Sequence, residues 1–136
     1  MRIRDIEKDA RRQARTAIEG YRMTLAGATT ADELEEYRDS DGFVTVYVGT
    51  VSDMMPSGKY YMPWAHSNLK FCPRCLGQGC AFCGQTGSRE AYEDKCWWQA
   101  FEAELGKAGY WARFGEGSSC DIFVGAGPSS LEESVV

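Results

Sequence analysis

The residues best suited to chemistry are the cysteines of CPRCLGQGCAFCGQTG, residues 72–87. Cys72, Cys75, Cys80 and Cys83 follow the spacing C-x2-C-x4-C-x2-C. A C-x2-C turn places two thiolates on one side of a tight loop. Two such turns complete a tetrahedral sulfur site, with Zn–S distances of about 2.3 Å. Zn2+ suits four soft thiolates that leave no open position. Gly77, Gly79, Gly84 and Gly87 follow the pairs. Glycine tolerates positive φ, so the backbone can turn back with its N–H groups aimed at sulfur. The expectation is a single structural Zn2+ on these cysteines. A redox dithiol would sit at a helix start in a βαβ setting, which the sequence lacks. An iron–sulfur cluster also takes four thiolates, but tight glycine knuckles suit one ion better. A disulfide pair is the least favoured reading in a reducing compartment.

The stretch Cys72-Pro73-Arg74-Cys75-Leu76-Gly77-Gln78-Gly79 is a full CxxCxGxG unit. It resembles the repeat of the cysteine-rich zinc domain of DnaJ-type co-chaperones. The next unit, Cys80 to Gly87, departs from that repeat because its first glycine comes one residue early. No HPD tripeptide of a J domain is present. This resemblance implies zinc binding and not co-chaperone activity. A second resemblance covers more of the chain. PSGKYYMPWAHSN (56–68), the knuckle and GSREAYEDKCWWQAFEAELGKAGYWARFGEGSSCDIF (87–123) are similar to a group of small proteins from tailed bacteriophages and prophages. It implies a phage or mobile-element origin and carries over no catalytic residue.

Other reactive side chains fit known templates poorly. His66 is the only histidine, and four thiolates nearby make it unnecessary as a ligand. Cys96 falls on a helical apolar stripe and reads as a small core residue. Cys120 stands beside Asp121. A zincin needs H-E-x-x-H, and one histidine does not supply it. A zinc deaminase needs H-x-E with P-C-x-x-C, and this chain has His66-Ser67-Asn68 with C-P-x-C. Ser57-Gly58-Lys59 shares the end of a P-loop but lacks its earlier glycine and preceding strand. A closed four-sulfur zinc site has no position for an activated water. The expectation is a binding protein rather than an enzyme.

The elements that must position the knuckle are legible from periodicity. Ile3, Ile6, Ala10, Ala14, Ala17, Tyr21 and Leu25 draw one apolar stripe, so a long first helix ends near Gly27. Its basic residues alternate with acids, which reads as a solvated, self-paired face. Thr30 with Glu33 is a capping box opening a short acidic helix, and Ser40-Asp41-Gly42 is a turn. FVTVYVGTV (43–51) is the strongest strand signal, SDMMPSG (52–58) a loop, and KYYMPW (59–64) a second strand able to pair with the first. Ser88 opens a second long helix to about Lys107. Tyr92, Cys96, Ala100 and Ala103, with Trp97, Phe101, Leu105 and Ala108, form its apolar face. Glu93, Asp94, Glu102 and Glu104 form an acidic outer side. YWARFGEGSSC reads as a loop, DIFV (121–124) as a short strand, and 127–136 as a loose tail.

Composition bounds the rest. The chain has 136 residues and a net charge of −5, with 43 % hydrophobic residues. That suits one domain, 1–126, with a real core. Residues 1–28 carry seven basic and four acidic side chains, against eight and sixteen in the remainder. An acidic chain is a poor partner for DNA over a broad face. No apolar run approaches the roughly 20 residues of a membrane span. The opening residues resemble neither a secretory nor an organelle-targeting segment. A cytoplasmic protein is expected, and the phage resemblance implies the cytoplasm of a host bacterium.

These readings converge on an α+β domain: two long helices packed on a small antiparallel sheet, with an inserted four-cysteine zinc knuckle. Function is expected from aromatic side chains that one small core does not easily hide. Tyr60, Tyr61, Trp64, Trp97, Trp98 and Trp111 are the candidate partner-binding residues. The expected activity is protein–protein interaction as a phage-type accessory protein, with inhibition of a bacterial defence system, as by an anti-CRISPR protein, one concrete form. The alternative is a small zinc-knuckle nucleic-acid-binding regulator, using Lys70, Arg74, Arg89 and Lys95 with Phe71 and Phe82.

Overall fold

A computed structural model describes residues 2–56, 89–115 and 121–127. The cysteine knuckle, the strand expected at 59–64, Ser88, Cys120 and the tail from 128 lie outside the described residues.

The first helix, α1, runs Ile3–Ala26. Its apolar stripe buries Ile6, Ala10, Ala14, Ala17, Ile18 and Tyr21, with Ile3 and Leu25 at its edges. The alanines let a second helix approach closely. That helix is α4, Arg89–Lys107, which ends where its sequence period ends. Arg15 of α1 reaches Glu104 of α4 at 3.2 Å, and Lys107 reaches the same carboxylate at 3.2 Å. Arg12 pairs with Asp9 one turn back. The basic residues of α1 are thus partly self-paired, as their spacing predicts.

Thr30 caps α2, Ala31–Glu35, by accepting the Glu33 N–H at 3.1 Å. The Glu33 carboxylate reaches back to the Thr29 N–H at 2.9 Å, which completes the box. A tight hairpin follows. Asp39 donates its N–H to the Phe43 carbonyl and Thr45 to the Tyr37 carbonyl, each at 2.9 Å. Gly42 holds the turn with φ +89°, a left-handed conformation that glycine adopts without strain. The Asp39 carboxylate accepts the N–H groups of Asp41 and Phe43 at 2.9 and 3.0 Å.

Strand β1 spans Thr45–Thr50, shorter at both ends than the 43–51 expected. Its early end has a local cause. The Thr50 hydroxyl accepts the Asp53 N–H at 3.2 Å and starts the one-turn helix α3, Val51–Met54, where the sequence suggested a loop. The sheet is completed by β2, Tyr110–Phe114, and β3, Asp121–Ala126, in the order β1-β3-β2 with both pairings antiparallel. β2 was hidden in a segment that reads as loop. Its sequence, YWARF, puts aromatic rings on both faces, with Tyr110 and Phe114 toward the core and Trp111 away from it, so the polar–apolar alternation that marks a strand is absent. Among the described residues the neighbour of β1 in the sheet is β3.

Alternation sends Val46, Ile122, Val124, Ala112 and Phe114 toward the helices, where all five join or pack against the core. Trp97 and Trp98 of α4 belong to that core too, at 0 % and 6 % exposure. Trp97 stacks on Phe101 with centroids 4.7 Å apart, and Trp98 stacks on Phe114 at 4.7 Å. Asp94, expected on the outer side, is also fully buried. Its spacing explains this, since positions 94, 97, 98, 101 and 105 recur at helical steps on one face.

A polar tie crosses this interface. The Asp9 carboxylate accepts from Gln13 Nε2 at 2.7 Å and from Trp97 Nε1 at 3.2 Å, and Gln13 Nε2 also donates to the Met54 carbonyl at 2.9 Å. Asp9 thereby links α1 to α4, and Gln13 links α1 to α3. Partial burial pushes the Asp9 pKa up, but the bonds from Gln13, Arg12 and Trp97 outweigh it and hold the carboxyl below its ordinary value of 3.8. A lowered folded pKa stabilises the fold above the unfolded value, and that contribution fades as pH falls through the folded value. The stability difference between the native chain and Asp9→Ala is therefore expected to be full above about pH 5 and to shrink below the usual carboxylate range near pH 4. Urea melts of both chains from pH 3 to 7 measure it. At neutral pH the cost is about 1–2 kcal/mol, chiefly from the stranded Trp97 N–H.

Candidate functional site

The face of the sheet turned away from the helices is built from the other half of the same alternation. Register pairs Tyr47 of β1 with Phe123 of β3, and Phe123 with Arg113 of β2. The neighbouring row is Thr45, Gly125 and Trp111. Cross-strand neighbours on one face lie about 5 Å apart, so each row forms a continuous surface. Tyr47 and Phe123 meet edge to face, with ring centroids 5.9 Å apart.

The second row is closed by close approach. A Cβ on Gly125 would overlap the Trp111 indole, so only glycine lets the ring lie across β3. Phe43 from the hairpin meets Trp111 edge-on at 5.6 Å. Gly125→Ala is expected to push this ring off the strand and to destabilise the fold by about 2–3 kcal/mol, read by thermal unfolding.

The first row stays open. With the hairpin and the end of α2 it walls a cleft of about 330 Å3, lined by Tyr37, Thr45, Tyr47 and Phe123 on the apolar side. Asp39 and Arg113 form its polar wall. Arg113 pairs with Asp39, which is nearly buried, and with Asp41 at 3.0 Å. The two carboxylates offset the guanidinium and fix its direction. The rim adds Glu36 and Arg38, the latter bound to Glu35 at 2.9 Å. Tyr47 is 52 % exposed, a large exposure for an aromatic ring on a paired strand. The arrangement is a rigid aromatic floor beside fixed polar groups, which is the anatomy of a contact surface.

No known family model, curated protein or solved structure matches this chain. Of the residues singled out by sequence, Cys72, Cys75, Cys80, Cys83, Tyr60, Tyr61 and Trp64 lie outside the described residues. Among the described residues, no group of three His, Cys, Asp or Glu side chains is placed to hold a metal ion, and Cys96 is buried. Trp97 and Trp98 are corrected from partner-facing anchors to core residues. Trp111 is half-buried and stands on the opposite side of the sheet from both, so the structure does not bring the three tryptophans together.

Sequence reasoning missed Tyr47, Phe123, Arg113 and Tyr37. Tyr47 was recoverable, because in VTVYVGT the valines at 46 and 48 face the core and leave Tyr47 on the other side. Arg113 was not, because β2 itself was not read as a strand. Among the described residues no helix is long and apolar enough to cross a membrane.

Proposed function

We propose that this chain acts by binding another protein through the outer face of its sheet. The observation that carries this reading is Tyr47, a half-exposed ring edge-on to Phe123 over an aromatic cleft with fixed polar walls. Aromatic anchors beside a desolvated pocket concentrate binding energy at protein interfaces. The resemblance to small tailed-phage proteins makes a bacterial host protein the partner class, and a component of a defence system, as for an anti-CRISPR protein, the form to test first. Zinc on Cys72, Cys75, Cys80 and Cys83 is proposed as a structural staple, since a closed set of four thiolates suits a single ion without chemistry of its own.

The test is a Tyr47→Ala chain beside the native one. Its fold is expected to be unchanged within about 0.5 kcal/mol, because the ring is mostly solvated. Capture of a host protein, and any protection of an infecting phage, is expected to fall at least about tenfold, the equivalent of 1.4 kcal/mol at a contact residue. Unchanged capture by Tyr47→Ala would remove the cleft from the interface. Tight binding to mixed DNA and RNA at low salt, lost steeply as salt is added, would instead favour the nucleic-acid regulator.

A further inference from the structure

The cleft at Tyr47 is walled by more acid than base, and both of its guanidiniums are already engaged. Arg38 is held across the hairpin, donating from Nε to the Glu35 carboxylate at 2.9 Å and from Nη1 to the Gly42 carbonyl at 2.8 Å. Arg113 is held by Asp39 and Asp41 together. An incoming anion would have to displace one of these carboxylates to reach a guanidinium. Glu36, the exposed residue that closes α2, adds a further negative charge to the rim. Among the described residues of the lining and their ion partners, Glu35, Glu36, Asp39 and Asp41 stand against Arg38 and Arg113.

The aromatic floor adds to this bias. Tyr37, Tyr47 and Phe123 border the same space, and the rings of Tyr47 and Phe123 meet at 67° rather than lying flat on one another. The face of an aromatic ring is the negative part of its quadrupole, so rings set at an angle around one space attract a cation. The cleft volume of about 330 Å3 is close to the lower bound of about 300 Å3 for ligand pockets, which suits a single long side chain. At longer range the sign is the same. Residues 29–136 carry sixteen acidic and eight basic side chains, a field that draws in a basic partner.

We propose that the cleft receives a basic side chain of the partner protein, an arginine or a lysine, with its cation against the rings of Tyr47 and Phe123 and its charge answered by Glu36. This rests on the reading of the cleft as the contact surface and adds which kind of partner residue anchors there. Long basic side chains bury an apolar stem and keep a charged head beside polar groups. The cleft offers both, an aromatic side for the stem and an acidic rim for the head. The same acid excess disfavours a phosphate backbone, so it separates a protein partner from a nucleic acid.

The probes are four capped pentapeptides, with arginine, lysine, leucine or glutamate between two pairs of glycines, titrated into the full chain at low salt. Ring resonances of Tyr47 and Phe123 report occupancy. The two basic peptides are expected to move both rings and to bind about tenfold tighter than the leucine peptide, with the glutamate peptide weakest. Their binding should weaken as salt is raised. Glu36→Gln should weaken the basic peptides by about threefold, leave the leucine peptide unchanged and leave the melting temperature unchanged. Glu19→Gln removes the same charge from an exposed position on α1, in the helix layer on the other side of the sheet, and should leave all four unchanged. Tyr47→Phe keeps the ring and should retain binding of the basic peptides, whereas Tyr47→Ala should abolish it. A leucine peptide that binds as tightly as the basic ones overturns the cationic anchor while leaving the cleft as a contact surface. Equal binding of the basic peptides by Glu36→Gln and the native chain overturns it too. A glutamate peptide that binds tightest would assign the cleft to an acidic group through Arg113 and equally overturn it. Rings unmoved by every peptide also overturn the anchor, and capture by Tyr47→Ala then decides separately whether the cleft is an interface.

Discussion

Trp97→Ala is expected to lower the unfolding free energy by about 3–5 kcal/mol, the range for truncating a large aromatic in a packed core. Trp97 is fully buried, stacked on Phe101, and bound through Nε1 to Asp9 at 3.2 Å. The substitution removes the ring, leaves a cavity between α1 and α4, and takes away a donor to Asp9. For a chain of this size the melting temperature should fall by roughly 10–15 °C. Trp97→Phe keeps part of the stack and loses the N–H, so its cost should be smaller, about 1–2 kcal/mol. The pair of variants discriminates between two roles. A partner-facing tryptophan would lose binding and keep stability on truncation, and a melting point within a few degrees of the native chain would return Trp97 to the surface.

Removal of metal is the other large effect. Purified chain is expected to carry a single zinc, and strong chelation or Cys75→Ser should release it and lower stability sharply. A structural zinc site has no preformed counterpart in the unfolded chain, so its binding energy is folding energy, about 10–16 kcal/mol in isolated zinc-finger peptides. This chain also has a core of its own, so the loss should be a fraction of that figure. Among the described residues, the start of α4, which follows the cysteines in sequence, should loosen first. Calorimetry with and without chelator, alongside metal analysis, reads both effects. Full stability after complete chelation would refute the staple, and absence of bound zinc after purification under reducing conditions would refute the site.

Much of the frame could be read without coordinates. The α1 stripe from Ile3 to Leu25, the Thr30–Glu33 cap and the turn at Gly42 are local features. Each depends on side chains within a few residues, and each appears where its spacing places it. The end of α4 at Lys107 follows for the same reason. The candidate site was much less legible. It takes Tyr37 and Asp39 from the hairpin, Tyr47 from β1, Arg113 from β2 and Phe123 from β3. Those residues span most of the chain, and no spacing rule links them.

The aromatics show the difference most directly. Sequence alone determined that helices with wide apolar faces must pack on something, because amphipathic periodicity leaves a face that water disfavours. It also supplies the spacing of Cys72, Cys75, Cys80 and Cys83 on which the proposal of a closed zinc site rests. Only the tertiary structure decided which rings that packing would hide. Trp98 and Trp111 are close in sequence and alike in chemistry, yet the sheet separates them, with Trp98 stacked on Phe114 in the core and Trp111 lying across Gly125 on the far face. The order β1-β3-β2 sets this division. Strand order depends on contacts between distant segments, whose loop-closure cost and packing gain are invisible to local pattern.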